Sequence, residues 1–574
     1  MTSKFSSIFY GKKEYIIGLL LLALTAFYCI LPLFIHQGLP YAHDIIFHIF
    51  QADQFDRSIH EGFFYPRWVP DFNNGYGSPS FVFYSPLGYY LVSAVRLFTP
   101  SLTIAMIAAI WLGFFLSGVT MFVTTNKMFG GAGSVLPAVI YQILPFHLWD
   151  IYIRGTLAEF FAFIWFPLII LFMQKTIESR NKMAIVGLSL SYAGLILTHL
   201  VSGFIFSLVI AACFIYSYFR LRDKKPLIRT LCSLGLGLGL SAVYLLPVVF
   251  ERKFVQIEYI VTCPVGNYKK NFLFTWDKVQ TVLRNFYLPV HIGVLLEVAL
   301  FIFVVLLMRK NKERLSNGQP LNFFVFLFFA AFFLTTPLSR PIWDIAPGFP
   351  FLQFPWRWIP MMDLALCFLL GFLFSFGYMS SLGSVKLKRI VIYFLIALSL
   401  ISFVTISQSR VIPDTSISKF LHPEQIKNLM DPPMEYAPIW AGNIKKIMSE
   451  AKNEKVSVIS GTALTDIVEW KSEKRVININ ASTSSLIRIA TFYYPGWEAY
   501  IDNMRTEIKI EKGVGAMLID IPEGRHIVVL KFEDTPLRYY AKIISLISFC
   551  VVVLLALFIR KTTQESVTMT NTII

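Results

Sequence analysis

Apolar residues run in long, nearly unbroken stretches through most of the 574-residue chain, and polar residues gather in the gaps between them. A helix needs about 20 mostly apolar residues to cross a bilayer. Stretches of that kind lie near 14–35, 102–124, 132–149, 157–174, 183–200, 203–219, 230–250, 291–308, 321–336, 358–378, 389–406 and 541–559. The pattern predicts about twelve transmembrane helices, with the aromatic run Tyr84–Phe98 re-entrant or interfacial. Beyond residue 406 the period changes to two. Alternation predicts strands at Val456–Ser460, Val476–Ile479, Leu486–Phe492, Thr506–Ile510, Met517–Ile521 and His526–Phe532, with turn signals such as Pro495-Gly496 and Pro522-Glu523-Gly524 between them. The predicted fold is therefore an α-helical polytopic membrane protein with a C-terminal extracytoplasmic β-sandwich-like domain before its last helix. Its parts are a transmembrane module over 1–406 with a large first outer loop at 36–101, a mixed and β-rich domain over 407–540, and a last helix with its tail over 541–574.

Composition agrees. The chain is 56% hydrophobic, 16% aromatic and only 15% charged, with mean hydropathy +0.61. Soluble domains carry about 25% charged residues, so a soluble class is excluded. The net charge of +16 would raise nucleic-acid binding in a soluble protein. Here every second connection carries a short basic cluster: Lys12/Lys13, Lys127, Lys175/Arg180/Lys182, Arg220/Arg222/Lys224/Lys225/Arg229, Arg309/Lys310/Lys312/Arg314, Lys386/Lys388/Arg389 and Arg560/Lys561. Basic residues concentrate in cytoplasmic loops, so these clusters and both termini are expected inside a cytoplasmic membrane. The positive charge is topology, and a nucleic-acid partner falls away. No small-residue cleavage site follows the first apolar run, which reads as an uncleaved first span. The six cysteines form no CxxC and no metal spacing, which leaves neither a disulfide framework nor a zinc motif.

Three long connections remain outside, at 36–101, 251–290 and 407–540. The first is the richest in chemistry. Asp44 and His48 stand at i and i+4 and share a face if the segment is helical. A carboxylate there suits a general base that takes a proton from an incoming hydroxyl, and it equally suits a cap on a short interfacial helix. His43 and His48 suit tuning that carboxylate, holding a phosphate, ligating a metal or simply sitting at headgroup level. Other ionisable residues border spans on the same side: Arg154 and Glu159, His199 after Thr198, Arg340 with Asp344, and Arg357 in Pro355-Trp356-Arg357-Trp358. Such residues are costly near a bilayer unless they face a cavity or a partner, so each is a functional candidate. The alternatives are a local ion pair for Arg154 and Glu159 and snorkelling for Arg357. All nine histidines fall on the outer side of this topology, as an outward-facing polar cavity would require. No GxxxxGK[ST] loop, GxGxxG, HExxH or GxSxG is present, so nothing on the cytoplasmic side looks able to bind a nucleotide sugar.

The run His43-Asp44-Ile45-Ile46-Phe47-His48, followed by Pro66-Arg67-Trp68-Val69-Pro70-Asp71-Phe72-Asn73-Asn74-Gly75-Tyr76-Gly77 and by Phe83-Tyr84-Ser85-Pro86-Leu87, resembles bacterial membrane proteins known as "6-pyruvoyl-tetrahydropterin synthase-related". Arg154-Gly155-Thr156-Leu157-Ala158-Glu159, Thr198-His199 and Phe354-Pro355-Trp356-Arg357 share that resemblance. The ending, with Tyr493-Tyr494-Pro495-Gly496-Trp497 and Pro522-Glu523-Gly524-Arg525-His526, is similar to YfhO-type membrane proteins. Nothing resembles the soluble zinc-dependent pterin enzyme.

Those families resemble GT-C glycosyltransferases. The resemblance implies a GT-C-like fold and a membrane enzyme that moves a sugar from a polyprenyl-phosphate donor to a cell-envelope glycan or lipid acceptor on the outer face. It implies Asp44 as base, with His48, His199 and Glu159 as further catalytic candidates. Arg154, Arg357 and Arg340 become candidates for the donor phosphate. His43, Arg67, Asp71, Tyr84 and Trp356 are candidates to line the substrate. The aromatic side chains Tyr84, Tyr89, Tyr90, Trp356 and Trp358 suit stacking on sugars or a plain interfacial belt. The resemblance fixes no cofactor; a divalent metal held by Asp44, His48, Glu159 and His199 is compatible with the residue types, although no spacing commits to it. Two other function classes stay open: a flippase or transporter of a lipid-linked intermediate, and a scaffold that keeps the frame without the chemistry.

Overall fold

The computed structural model describes residues 12–130, 134–178, 182–221, 223–275, 288–310, 321–374, 385–407, 410–421, 434–444, 447 and 454–571. Arg180, Arg222, Lys312, Arg314 and His422, part of the charge and histidine patterns above, lie outside the described residues. The protein is mostly helical, with a C-terminal β-rich part. Among the described residues six helices are long and apolar enough to span a membrane: Lys13–Ile35, Leu102–Phe129, Leu157–Glu178, Leu200–Arg220, Pro355–Leu373 and Pro536–Leu557. Two more qualify only as bent pairs, Lys225–Leu240 with Ala242–Phe254 (73°) and Leu321–Thr335 with Pro337–Ile345 (88°). Length and composition thus carry six to eight spans. Shorter apolar helices at Met183–Thr198, Val290–Leu306 and Ile396–Ile406 fall on other predicted ones.

The first loop is built, not loose. Its helix Ile45–His60 begins at Asp44, and short helices follow at Ser80–Phe83 and Leu87–Arg96. Strand β1 (Gly38–Pro40) pairs antiparallel with β2 (Val411–Pro413), tying the start of this loop to the chain beyond the helix Val385–Ser407.

The β-rich part has two sheets. One holds β3 (Val456–Ser460), β6 (Ser485–Phe492), β10 (Ala516–Ile521) and β9 (Lys509–Ile510); the other holds β4 (Ala463–Lys471), β5 (Lys474–Ala481), β11 (Gly524–Phe532), β7 (Trp497–Ile501) and β8 (Met504–Thr506). The single strand expected at Thr506–Ile510 is two short ones, and β4 and β7 had no clean alternation to announce them. Trp497 and Ala499 of β7 face inward, whereas β4 has little buried surface and pairs along its whole length with β5.

The first loop enters the core of this β-rich part. Trp68 is fully buried, edge-on to Trp497 (5.5 Å) and tilted against Phe532 (5.6 Å). Tyr76 packs on Phe492 (4.9 Å), and its carbonyl accepts from Phe492 N (2.8 Å). A second anchor is ionic. Arg538 donates from Nε (2.9 Å) and Nη2 (2.7 Å) to the two oxygens of Glu251, which also accepts from Tyr494 Oη (3.0 Å). Gly496 lies beneath that guanidinium at φ +115°, and a Cβ there would stand 2.6 Å from Arg538 Nη1 and 2.8 Å from Glu533 O. Gly496→Ala is therefore expected to destabilise the protein by about 2 kcal/mol, through left-handed strain and displacement of the Arg538–Glu251 pair. Thermal unfolding in detergent would show it, and a melting temperature equal to wild type would refute the packing account.

Candidate functional site

The site forms where one helical stretch breaks. Pro145 has no amide hydrogen, and the helix Val135–Ile143 ends before it; a short turn Pro145–Trp149 and a π-turn Asp150–Arg154 follow. Gly155 closes the turn at φ +69°, where a Cβ would meet the backbone nitrogen of Ile45 at 2.8 Å. The close approach lets His43 N donate to Ile153 O (3.0 Å) and Asp44 N to Arg154 O (2.8 Å). Two stretches more than a hundred residues apart in sequence thus lie side by side.

Arg154 donates from Nη1 to Asp150 (2.6 Å) and to Glu159 Oε2 (2.8 Å). Arg357 donates from Nε to the same Glu159 oxygen (3.2 Å), and from Nη1 to Leu352 O (2.8 Å) and Gln353 Oε1 (3.4 Å). Thr156 caps Asp150 from Oγ1 (3.2 Å). Phe354 lies under both guanidiniums, 6.0 Å from that of Arg154 and 5.1 Å from that of Arg357. Trp356 stacks on Phe354 (4.7 Å) and meets Trp149 edge-on (5.7 Å), so this aromatic wall backs the charges and keeps water from that side. Asp150 and Glu159 are buried, and Arg154 nearly so.

Asp44 and His43 reach solvent, while much protein surrounds Asp44. Burial pushes the Asp44 carboxyl above its usual range; the charges of Arg154, His43 and Arg357 pull it back, and Glu159 adds to the rise. Burial also lowers His43, against the opposing charge of Asp44. His48, one turn on, is buried and held down to about 3 by desolvation. Its neutral ring lies between Tyr89 Oη (2.9 Å from Nδ1) and Tyr84 Oη (3.4 Å from Nε2) and joins the two tyrosines. His199 occupies the single extended residue between the helices Lys182–Thr198 and Leu200–Arg220. Its Nδ1 caps the second helix by accepting from Ser202 N (3.4 Å).

Asp44, His43, Arg154, Glu159, Arg357, Tyr84, His48, His199 and Trp356 therefore gather around one region, with different tasks. Three predicted residues do not join it. Arg67 is buried in ion pairs with Glu473 (3.1 Å) and Asp534 and lies over Phe532 (5.0 Å), locking the first loop to the sheets. Asp71 accepts from Gln54 (3.1 Å) and Arg57 (2.8 Å) beside the helix Ile45–His60. Arg340 is more than half exposed and pairs with Asp344 (3.6 Å). The mixed metal set fails as well: among the described residues no three His, Cys, Asp or Glu side chains converge as metal ligands. Asp150 escaped notice in the sequence, although an acidic residue ending an apolar run and standing four before Arg154 was the available signal.

The class is now defined: a polytopic membrane protein whose first loop and helix breaks bring a set of charged side chains together. The chain belongs to the family described as "6-pyruvoyl-tetrahydropterin synthase related domain; membrane protein", whose profile matches residues 81–411. Among solved structures it is similar to the Archaeoglobus fulgidus oligosaccharyltransferase in complex with Zn and sulfate, at TM-score 0.36 and 16% identity over 70% of this chain. The match spans 53% of that enzyme, about half its length. No curated protein matches.

Proposed function

We propose that this protein is a GT-C-like membrane glycosyltransferase, moving a sugar from a polyprenyl-phosphate carrier to a hydroxyl acceptor of the cell envelope on the outer face. The observation that carries this reading is a solvent-reachable Asp44 beside two arginines that share one buried carboxylate. Arg154 and Arg357 keep guanidinium N–H groups that make no hydrogen bond among the described residues, and these suit phosphate oxygens.

The chemistry would be a single displacement. Asp44 takes the proton of the acceptor hydroxyl as its oxygen bonds to the anomeric carbon. The bond from that carbon to the carrier phosphate breaks, and the phosphate leaves with the electron pair. Arg154 and Arg357 balance the charge that gathers on it, in a site already organised before substrate arrives. Glu159 holds both arginines in place, and Tyr84 is oriented by His48. One displacement inverts the anomeric configuration.

Purified protein in nanodiscs, given a panel of radiolabelled polyprenyl-phosphate sugars and envelope lipids and glycans, is expected to give a product of inverted configuration. Absence of transfer with every donor would overturn the reading, and retention of configuration would overturn the single displacement.

A second reading, transport of a lipid-linked intermediate, is favoured by one feature. Glu297 and Asp363 lie buried in the helical bundle, and their oxygens meet no hydrogen-bonding partner among the described residues other than each other. Ionisable pairs inside spans and broken helices mark transport routes. Movement of a fluorescent carrier lipid across proteoliposomes, abolished by Asp363→Asn, would support transport.

A further inference from the structure

Arg357 is aimed by the turn just before it. The 3₁₀ turn Phe349–Leu352 opens at Gly348 (φ +86°) and ends at Gln353, whose φ of +62° and ψ of −43° are those of a tight γ-turn. Phe354 N closes that turn on Leu352 O (2.6 Å). A γ-turn of this hand is rare, and it is strained for a residue with a side chain. Pro355 sets the exit direction, because the residue before a proline is driven to extended backbone, and Phe354 is extended (φ −126°, ψ 110°). Leu352 O then accepts a second time, from Arg357 Nη1 (2.8 Å). Glycine would adopt the backbone of residue 353 freely, yet a glutamine stands there and both polar atoms of its amide are bonded. Oε1 accepts from Arg357 Nη1 (3.4 Å), and Nε2 donates to Ile260 O (3.4 Å).

Ile260 belongs to the connection 251–290, which folds onto this turn. Asn271 Nδ2 donates to Val265 O (2.8 Å), Asn267 O (3.1 Å) and Gln353 O (3.5 Å). Gly266 allows the close approach, since a Cβ there would stand 2.8 Å from Gln353 Nε2 and 2.2 Å from Ile260 O. Gln353 is thus gripped by the connection on one side and grips Arg357 on the other. With Nε on Glu159 and Nη1 on the turn, Arg357 retains Nη2, which makes no hydrogen bond among the described residues.

We propose that Gln353 is a positioning residue: its side chain and its strained turn hold Arg357 in the orientation that meets the phosphate of the lipid carrier. This rests on the transferase reading above, which makes Arg357 a phosphate ligand. An arginine without such a hold samples many rotamers, and fixing one of them is a cost of binding. The turn and the connection folded onto it remove that cost before the carrier arrives, which is how a positioned guanidinium gains affinity and alignment together.

The test uses full-length protein in nanodiscs, titrated with undecaprenyl phosphate and with undecaprenol, its phosphate-free counterpart, and followed by tryptophan fluorescence. Wild type is expected to prefer the phosphate lipid. Gln353→Ala should weaken binding of that lipid by about fivefold to tenfold, on the order of one hydrogen bond, and leave the alcohol unchanged. In an Arg357→Ala background the same substitution should cost nothing more, because the two residues act on one interaction. Gln353→Gly loses the same side chain and adopts the φ freely, so it carries the comparison if the alanine variant does not fold. Equal weakening of both lipids, an effect that persists without Arg357, or an unchanged preference would each overturn the proposal and leave the donor reading standing. A wild type that binds the two lipids equally would overturn the donor reading, and the proposal with it.

Discussion

Asp44→Asn is expected to reduce sugar transfer by about 10²- to 10⁴-fold while leaving the protein folded, because a general base contributes on that scale and the amide keeps the shape of the side chain. The backbone bond from residue 44 to Arg154 O does not involve the side chain, so that contact is kept. The pH dependence has a definite sign. A base works deprotonated, and the Asp44 carboxyl is raised by burial. Transfer by wild type should therefore fall as pH drops through a value above the usual carboxylate range, about 4, and should hold at neutral pH. The contribution of this group to stability moves in the opposite direction, rising as pH falls, because a carboxyl with a raised folded pKa adds stability on protonation. Loss of activity from protonation of Asp44 therefore needs no loss of fold, and circular dichroism across the same range would separate the two. An Asp44→Asn variant that transfers sugar at the wild-type rate would end the proposed role.

The second large effect is structural. Among the described residues Glu159 is the only carboxylate paired with Arg357 and one of two paired with Arg154. Glu159→Gln leaves two nearly buried guanidiniums close together with one anion fewer. Removing one partner of a buried pair costs about 3–5 kcal/mol, because the charge left behind is desolvated without compensation. Thermal unfolding in nanodiscs should drop accordingly, and transfer should drop with it. The double variant Glu159→Gln/Arg357→Gln should recover part of the stability, since it removes the stranded cation as well. If the single variant melts with wild type, the shared carboxylate does not hold the cluster together.

Much of the architecture was legible because bilayer physics writes itself into composition. The apolar runs marked the helices, and alternation marked most strands. The bends at Leu240 and Thr335 were not visible, because hydropathy counts apolar residues and is blind to direction. Within the site, Arg154 and Glu159 could be read together because they lie five residues apart across a break. Their third member, Arg357, stands 198 residues from Glu159, and no local pattern links them. The same distance problem misassigned Arg67: in its run it looks like a substrate ligand, yet its partners Glu473 and Asp534 lie more than 400 residues away.

The sequence by itself determined that this chain lives in a membrane and where most of its helices and strands fall. These follow from the cost of placing polar groups in hydrocarbon, which acts residue by residue. Only the tertiary structure decided which of the chain's reactive residues meet. Pairing of Glu159 with Arg357, of Glu251 with Arg538 and of Arg67 with Glu473 depends on desolvating opposite charges against each other across distant parts of the chain, and that interaction exists only once the bundle and the sheets have closed around them.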